Sequence, residues 1–443
     1  MLSRIVALIL LLPNLLLAQH TISGVFTPAS NYKVVLLYKV TPTVSDYITN
    51  AEVQKDGSFQ IQLGADAASG IYRIVYAVPQ EDYNFDVIYN GKEDISLTFN
   101  SETGVTFKSS TENKLLASYS KSMSAVTQSI SNYFREHKKD TLALLNIFKI
   151  QRETQAKYEK LAEKTIALQF IKANKPYIPK KYEDSHTYVK NLKIHYFDNI
   201  DFNNVTLQSS SFLEERMNNY VFGMTSGSKS DIANYKHNIN VFCNAMKTVP
   251  AKVKRILLFS LWQQMVDLEY EEVANYISNN YLIDIAKSLN DKELVDALTL
   301  FKNISIGSKA PDFSVTIEKD NKTISKKLSE LNGFENYIIV FWSTSCSHCS
   351  DEIPQLQKLI KSNKKNKIKV IAVALEDDAK AWKEKIKSFP EFIHVLGLGK
   401  WDNKIGDAYG VTETPTYFVL NREKQIVDKP LDLDALKYFF SMQ

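Results

Sequence analysis

The chain has 443 residues, with 54 Lys and Arg against 50 Asp and Glu, so its formal charge at pH 7 is only +4. So small an excess over this length sets up no strong surface field, and neither a nucleic acid nor a membrane surface is an expected partner. Three cysteines are too few for a disulfide-stapled scaffold, and a chain this long can bury several cores, so two or three domains are expected.

Residues 1–18 read as a cleavable signal peptide. Arg4 supplies a positive start, Ile5 to Leu17 form an apolar stretch broken by Pro13-Asn14, and Ala18-Gln19 offers a small residue for cleavage. The stretch is shorter than the roughly 20 residues a bilayer-spanning helix needs; an uncleaved membrane anchor is the alternative. The mature chain is therefore expected outside the cytoplasm, where disulfides can form.

Residues 19–110 are strand-like. Thr21 to Phe26, Lys33 to Tyr38, Phe59 to Leu63, Ile71 to Tyr76, Phe85 to Tyr89 and Ile95 to Phe99 are short apolar runs separated by turn residues. Lys55-Asp56-Gly57 carries a hairpin signal. A small antiparallel β-sandwich is expected, as a structural or partner-binding module.

Residues 111–303 read as an α-helical domain. Thr111 and Asp140 are candidate N-caps. A helical pattern runs from Leu142 to Ala173, and Pro176 and Pro179 end it. Further helices are expected over Phe212–Phe222, Asp231–Met246, Pro250–Glu269, Glu271–Asn279 and Asp291–Phe301, with Gly223–Ser230 as a loop. Cys243 lies on an apolar helical stretch and reads as a lone buried thiol.

Residues 304–443 alternate strand and helix, the pattern of a sheet covered by helices. Strands are expected near Ile338–Trp342, Lys369–Ala374, His394–Leu396 and Thr416–Leu420. Helices begin near Cys346, Asp378 and Asp402, and a last one covers Leu433–Phe440.

The chemistry concentrates at Cys346-Ser347-His348-Cys349, directly after the apolar run Tyr337–Trp342. A strand running into a helix there puts Cys346 at the positive end of the helix dipole, which favours the nucleophilic thiolate. Cys349 lies one turn on, placed to resolve a mixed disulfide formed on Cys346. The implied chemistry is dithiol–disulfide exchange through a redox-active Cys346–Cys349 pair. Zinc also uses C-x-x-C, but no further Cys or close His pair completes a site, so no metal is expected.

With Ile306–Phe313, Leu328–Leu331, Phe341–Cys349, Glu352-Ile353-Pro354 and Thr414-Pro415-Thr416 in register, the last 140 or so residues resemble the thioredoxin-like superfamily, specifically its exported TlpA/ResA type. The three-part order resembles multi-domain thiol-disulfide oxidoreductases of Bacteroidetes-type bacteria, which implies a periplasmic location. The resemblance implies a thioredoxin-like α/β domain, no metal or organic cofactor, client proteins bearing cysteines or disulfides, and a membrane thiol-disulfide carrier as electron donor. It implies that Thr414-Pro415 is a cis-proline loop lying against the sulfurs and pairing with substrate. Trp342 is given a mixed packing and substrate-contact role.

Ser347 and His348 form the dipeptide that tunes the couple. A His before the second cysteine stabilises the Cys346 thiolate and makes the disulfide more oxidising. TlpA-type reductants mostly carry Pro there, so the direction of electron flow stays open between reductase and oxidase or isomerase; an exposed spacer is the plainer reading. Glu352, three residues beyond Cys349 and on the same helix face, is the candidate general base for Cys349; a solvated first-turn acid is the alternative. Thioredoxin's buried Asp is replaced by Val340. A peroxiredoxin would need Pro and Thr where Ile339 and Ser343 stand. A polypeptide- or glycan-binding module with a vestigial redox domain is the remaining alternative from another class.

Overall fold

The computed structural model describes residues 20–225, 231–319, 322–362 and 367–442. The expected signal peptide and part of the Gly223–Ser230 loop lie outside them. The chain forms two compact units, Met1–Leu257 and Leu258–Gln443.

In the first unit, strands β1 (Thr21–Thr27), β2 (Val34–Val40), β3 (Ser45–Glu52), β4 (Ser58–Gln62), β5 (Gly70–Val75), β6 (Asn84–Tyr89), β7 (Ile95–Asn100) and β8 (Gly104–Phe107) make two four-stranded sheets. Their orders are β4-β1-β7-β8 and β3-β2-β5-β6. Alternation in β1 and β7 turns one face inward. Ile22, Phe26 and Leu97 from one sheet share a core with Leu37, Tyr72 and Ile74 from the other. The wholly antiparallel expectation is corrected: β1 runs parallel to β7. These strands are joined through the second sheet rather than by a tight turn, so nothing forces them antiparallel.

The Lys55-Asp56-Gly57 turn closes as a hairpin turn does: the Gly57 N–H donates to the Gln54 carbonyl at 2.8 Å and the Gln54 N–H to the Ser58 carbonyl at 2.8 Å. Beyond it β3 and β4 enter different sheets, so the strands diverge at a corner. Gly57 has φ +83°, and a Cβ there would lie 2.2 Å from the Phe26 carbonyl oxygen, which leaves no other residue. Strand β3 escaped sequence reading because it lies on a sheet edge and is mostly exposed, so no apolar alternation marks it.

Helices α1 (Thr111–Arg135), α2 (Thr141–Leu161), α3 (Ala167–Ala173), α4 (Ser185–Ile194), α5 (Val205–Gln208), α6 (Phe212–Val221) and α7 (Asp231–Ala245) follow, and α8 (Ala251–Asp267) spans the division between units. Asp140 caps α2 by accepting the Ala143 N–H at 3.0 Å. Thr111 is instead the first helical residue of α1, and its N–H and hydroxyl donate to Glu93. The helix expected over 142–173 is two helices. Lys164 takes φ +62°, and the Thr165 hydroxyl donates to the Ala162 carbonyl at 2.7 Å, ending the helical ladder between them.

In the second unit, α9 (Glu271–Ile277), a π-helical turn (Ser278–Leu282), α10 (Ile283–Ser288) and α11 (Lys292–Asn303) precede a hairpin of β9 (Ser314–Lys319) and β10 (Lys322–Lys327). The five-stranded sheet has the order β13-β12-β11-β14-β15, built from β11 (Asn336–Trp342), β12 (Ile368–Glu376), β13 (Ile393–Leu398), β14 (Thr416–Leu420) and β15 (Ile426–Asp428). Strands β11, β12 and β13 run parallel, and β14 runs antiparallel to β11. Helices α12 (Ser347–Ser362), α13 (Lys380–Lys385), α14 (Lys404–Ala408) and α15 (Leu433–Ser441) complete the unit.

Strand β11 explains the arrangement. Tyr337, Ile339 and Phe341 enter one core; Ile338, Val340 and Trp342 enter another on the opposite face. Both faces are covered, so the sequence reads as a continuous apolar run. Burying each such side chain contributes roughly 1.5–3 kcal/mol. The segment around Gly307 joins beside β15, with Gly307 N–H donating to the Ile426 carbonyl at 2.7 Å and Ala310 N–H to the Lys424 carbonyl at 2.9 Å.

Candidate active site

β11 ends at Trp342, and the short turn Ser343–Cys346 delivers the chain into α12. The turn is held from within and from the side. The Cys346 N–H donates to the Ser343 carbonyl at 3.2 Å. The Ser343 and Ser345 hydroxyls lie 3.0 Å apart. Glu376, at the end of β12 and 7 % exposed, accepts the Thr344 N–H at 2.5 Å and the Thr344 hydroxyl at 3.1 Å. A buried carboxylate is costly unless its lone pairs are filled, and here the turn fills them. Sequence reading passed over Glu376; the signal was an acid directly after the apolar run Val370–Leu375.

Both cysteines are free thiols. Cys346 is partly buried just before the first residue of α12, and Cys349 is 1 % exposed. The Cys349 N–H donates to Cys346 Sγ at 3.1 Å, and Cys346 Sγ donates to the Thr414 carbonyl at 3.2 Å. The Thr414–Pro415 peptide is cis, so the loop before β14 meets the first sulfur through backbone.

The two thiols are driven apart electrostatically. Burial alone opposes ionisation of Cys346, but hydrogen bonds from Cys349, from Thr414 and from the backbone N–H groups of Cys349 and His348 outweigh it and hold the thiol below its ordinary value. Burial, reinforced by Cys346, pushes Cys349 up to about 12. Cys243 is also pushed up to about 12 by burial, with Lys254 acting weakly against it. A more acidic thiol at the helix mouth and a less acidic one a turn inside suit stepwise attack and resolution.

The remaining expected residues take these places. Ser347 and His348 are exposed. The His348 backbone N–H is among the groups that hold the Cys346 thiol down. Thr414 and Pro415 are half-buried beside the sulfur. Trp342 is 2 % exposed and packs with Cys349 and Ile353, so its expected contact with substrate is corrected to packing beneath the site. Glu352 is half-buried on α12, and its Oε2 accepts the Tyr417 hydroxyl at 2.8 Å. Tyr417 was not anticipated. Its only sequence signal is parity: two residues after Pro415 on β14, it shares the face of Val419, the face covered by α12. Among the described residues no cluster of His, Cys, Asp and Glu could hold a metal ion, and no helix is long and apolar enough to cross a membrane.

Comparison with known proteins adds the following. Residues 306–429 match the model of the AhpC/TSA family. The chain is 33 % identical over 127 residues to thiol-disulfide oxidoreductase ResA of Bacillus subtilis (strain 168), an alignment covering 28 % of this chain and 67 % of that protein. Against thiol-disulfide oxidoreductase ResA of Bacillus anthracis the identity is 28 % over 129 residues, covering 29 % and 70 %. Among solved structures, the thioredoxin domain of a thiol-disulfide oxidoreductase from Bacteroides vulgatus is 27 % identical, with TM-score 0.27, covering 31 % of this chain and 96 % of that one. A thioredoxin-like protein from Bacteroides caccae is 18 % identical, with TM-score 0.32, covering 60 % and 97 %.

Proposed function

Because this chain belongs to the ResA-type thiol-disulfide oxidoreductases of the thioredoxin-like superfamily, we propose that it works in the periplasm, exchanging a Cys346/Cys349 dithiol–disulfide couple with client proteins as a reductase. One observation carries this reading: a partly exposed Cys346 sulfur that accepts the Cys349 N–H at 3.1 Å and touches the Thr414 carbonyl at 3.2 Å. That sulfur is poised as a nucleophile beside a backbone edge on which a client strand can pair.

In the first step the Cys346 thiolate attacks a client disulfide, forming a mixed disulfide and releasing one client thiolate. In the second, Cys349 gives its proton to Glu352 and attacks the Cys346 sulfur. The bond from Cys346 to the client breaks, the client leaves as a second thiolate, and the Cys346–Cys349 disulfide remains. A dithiol carrier in the membrane returns two electrons. No metal or organic cofactor enters these steps. Pro415, which lacks an N–H, leaves the sulfurs without a competing donor at that point.

Three parts carry this activity in our reading: residues 19–110, 111–303 and 304–443, after removal of residues 1–18 as a signal peptide. Helices α9–α11 of the middle part group with the last part. In support, Glu271 accepts the Ile306 N–H at 2.7 Å and pairs with Lys429, and the Asn275 side chain donates to the Ser305 hydroxyl at 2.9 Å.

A second reading, disulfide oxidase or isomerase, draws on the depressed Cys346 thiol, since stabilising the thiolate stabilises the reduced form. The reduction potential of the full chain separates the two. A value near about −270 mV or lower supports the reductase, and one near about −120 mV supports the oxidase. Cys349→Ala is expected to accumulate client mixed disulfides on Cys346. Their absence in cells, with the variant folded and Cys346 still alkylatable, would remove the exchange reading.

A further inference from the structure

We propose that Tyr417 is a positioning residue of the resolving step: its phenol holds the Glu352 carboxylate in place, so that Glu352 can take the proton of Cys349. The inference rests on Glu352 acting as the base in the function proposed above.

The geometry is built by strand parity. Pro415 ends the loop against Cys346, and β14 begins at the next residue. Odd positions of β14 then face α12, which puts Tyr417 into one apolar core with Cys349, Ile353 and Leu356. The ring is 1 % exposed, and its hydroxyl donates to Glu352 Oε2 at 2.8 Å. Val340, opposite Tyr417 on β11, brings no polar atom to this face, so the phenol is what the sheet offers Glu352 here. Glu352 and Cys349 lie three residues apart on α12, on the same face of the helix.

The surroundings keep the phenol a donor. The ionisable groups acting on it are Glu352 and Cys349 from α12 and Asp432 from the start of α15, all of which become anions. Cys346 lies beyond Cys349, hydrogen-bonded to it. The cation of α15, Lys437, is engaged elsewhere, with Asp434 at 2.8 Å and Gln355 at 3.4 Å. Burial, then these anions, oppose ionisation of the phenol, so it stays protonated while the thiols react. A neutral donor on one carboxylate oxygen favours the ionised carboxylate over the acid. It also stops the carboxylate rotating, leaving the second oxygen to receive a proton. When Cys349 then attacks the Cys346 sulfur, its proton passes to Glu352, two electrons pass to the departing thiolate, and Tyr417 keeps its own proton throughout.

The test uses the reduced full chain and 5,5′-dithiobis(2-nitrobenzoate). Its first thionitrobenzoate reports attack by Cys346, and its second reports resolution by Cys349. Tyr417→Phe keeps the ring and removes only the hydroxyl. It should leave the first phase unchanged, move the acid limb of the second phase up by roughly one pH unit, and slow that phase about tenfold below the limb. Glu352→Gln should erase the limb, and Tyr417→Phe added to it should change nothing more. An unmoved limb in Tyr417→Phe overturns the proposal. So does an effect of Tyr417→Phe that persists beside Glu352→Gln, or a loss of both phases, which would mark the ring as packing alone. A second phase indifferent to Glu352→Gln instead overturns the role of Glu352 itself.

Discussion

Helix α7 in the first unit and helix α12 in the second each carry a cysteine, Cys243 half-buried and Cys349 buried. Burial pushes Cys243 and Cys349 alike up to about 12. Cys243 sits far along its helix, beyond the reach of the first turn's unpaired N–H groups. Cys349 sits in the first turn of α12, with Cys346 just outside it accepting its N–H. Burial makes a thiol inert. In our reading, a second thiol at the helix mouth, a buried acid bracing the turn and the Thr414 carbonyl from the loop before β14 make such a thiol half of a redox couple.

The sharpest way to break this contrast is substitution. Cys346→Ala should abolish release of thionitrobenzoate by the active-site pair, whereas Cys243→Ala should leave the rate unchanged, measured by stopped-flow absorbance. Activity surviving in Cys346→Ala would put the chemistry elsewhere.

Alkylation ranks next. At pH 7 a thiol at about 12 is ionised to about one part in 10⁵, while hydrogen bonds hold Cys346 below its ordinary value and make it the readier thiolate. Iodoacetamide should therefore modify Cys346 well before Cys349 or Cys243, read by mass spectrometry of quenched samples. Equal labelling of all three would erase the distinction.

Stability against pH gives a smaller effect. The folded-state value of Cys243 is raised from 9.0 to about 12, so its contribution is fully present below pH 9 and is lost as pH rises from about 9 to about 12. Across that window the wild type should lose up to roughly 1.4 kcal/mol per pH unit more than Cys243→Ala. Denaturant titrations of the two proteins at pH 8 and pH 10.5 measure it; parallel curves would mean the thiol is not desolvated in the folded protein.

The smallest effect concerns the brace on the turn. Glu376→Ala leaves the Thr344 N–H without its acceptor and should cost about 1–3 kcal/mol of stability. It should also slow the Cys346 phase while Glu376→Gln, which keeps an acceptor, slows it less. Thermal melts and the thionitrobenzoate assay check both halves.

Reading the chain in one dimension served the two units unequally. β11 announced itself because both of its faces are covered, and the thiol pair followed it directly. The exposed edge strand β3 carried no alternation and went unread. The parallel pairing of β1 with β7 is a choice between partners more than 60 residues apart, which no local pattern encodes. Within the site, the same rule holds. Cys346, Cys349 and Glu352 lie within seven consecutive residues at the start of α12, so their neighbourhood was legible. Tyr417 and Glu376 come from β14 and β12, and only sheet register brings them to α12 and its turn.

Local spacing by itself determined the thiol pair and the helix that carries it, because short-range patterns are set by backbone period and turn chemistry, and the proline loop followed from the resemblance that these motifs carry to the thioredoxin-like superfamily. Tertiary structure alone decided how deeply Trp342 is buried beneath the site, and which distant side chains hold the carboxylate and the turn. Those outcomes depend on which faces of separate strands are pressed together, and hydrogen bonds between them form only once the strands have paired.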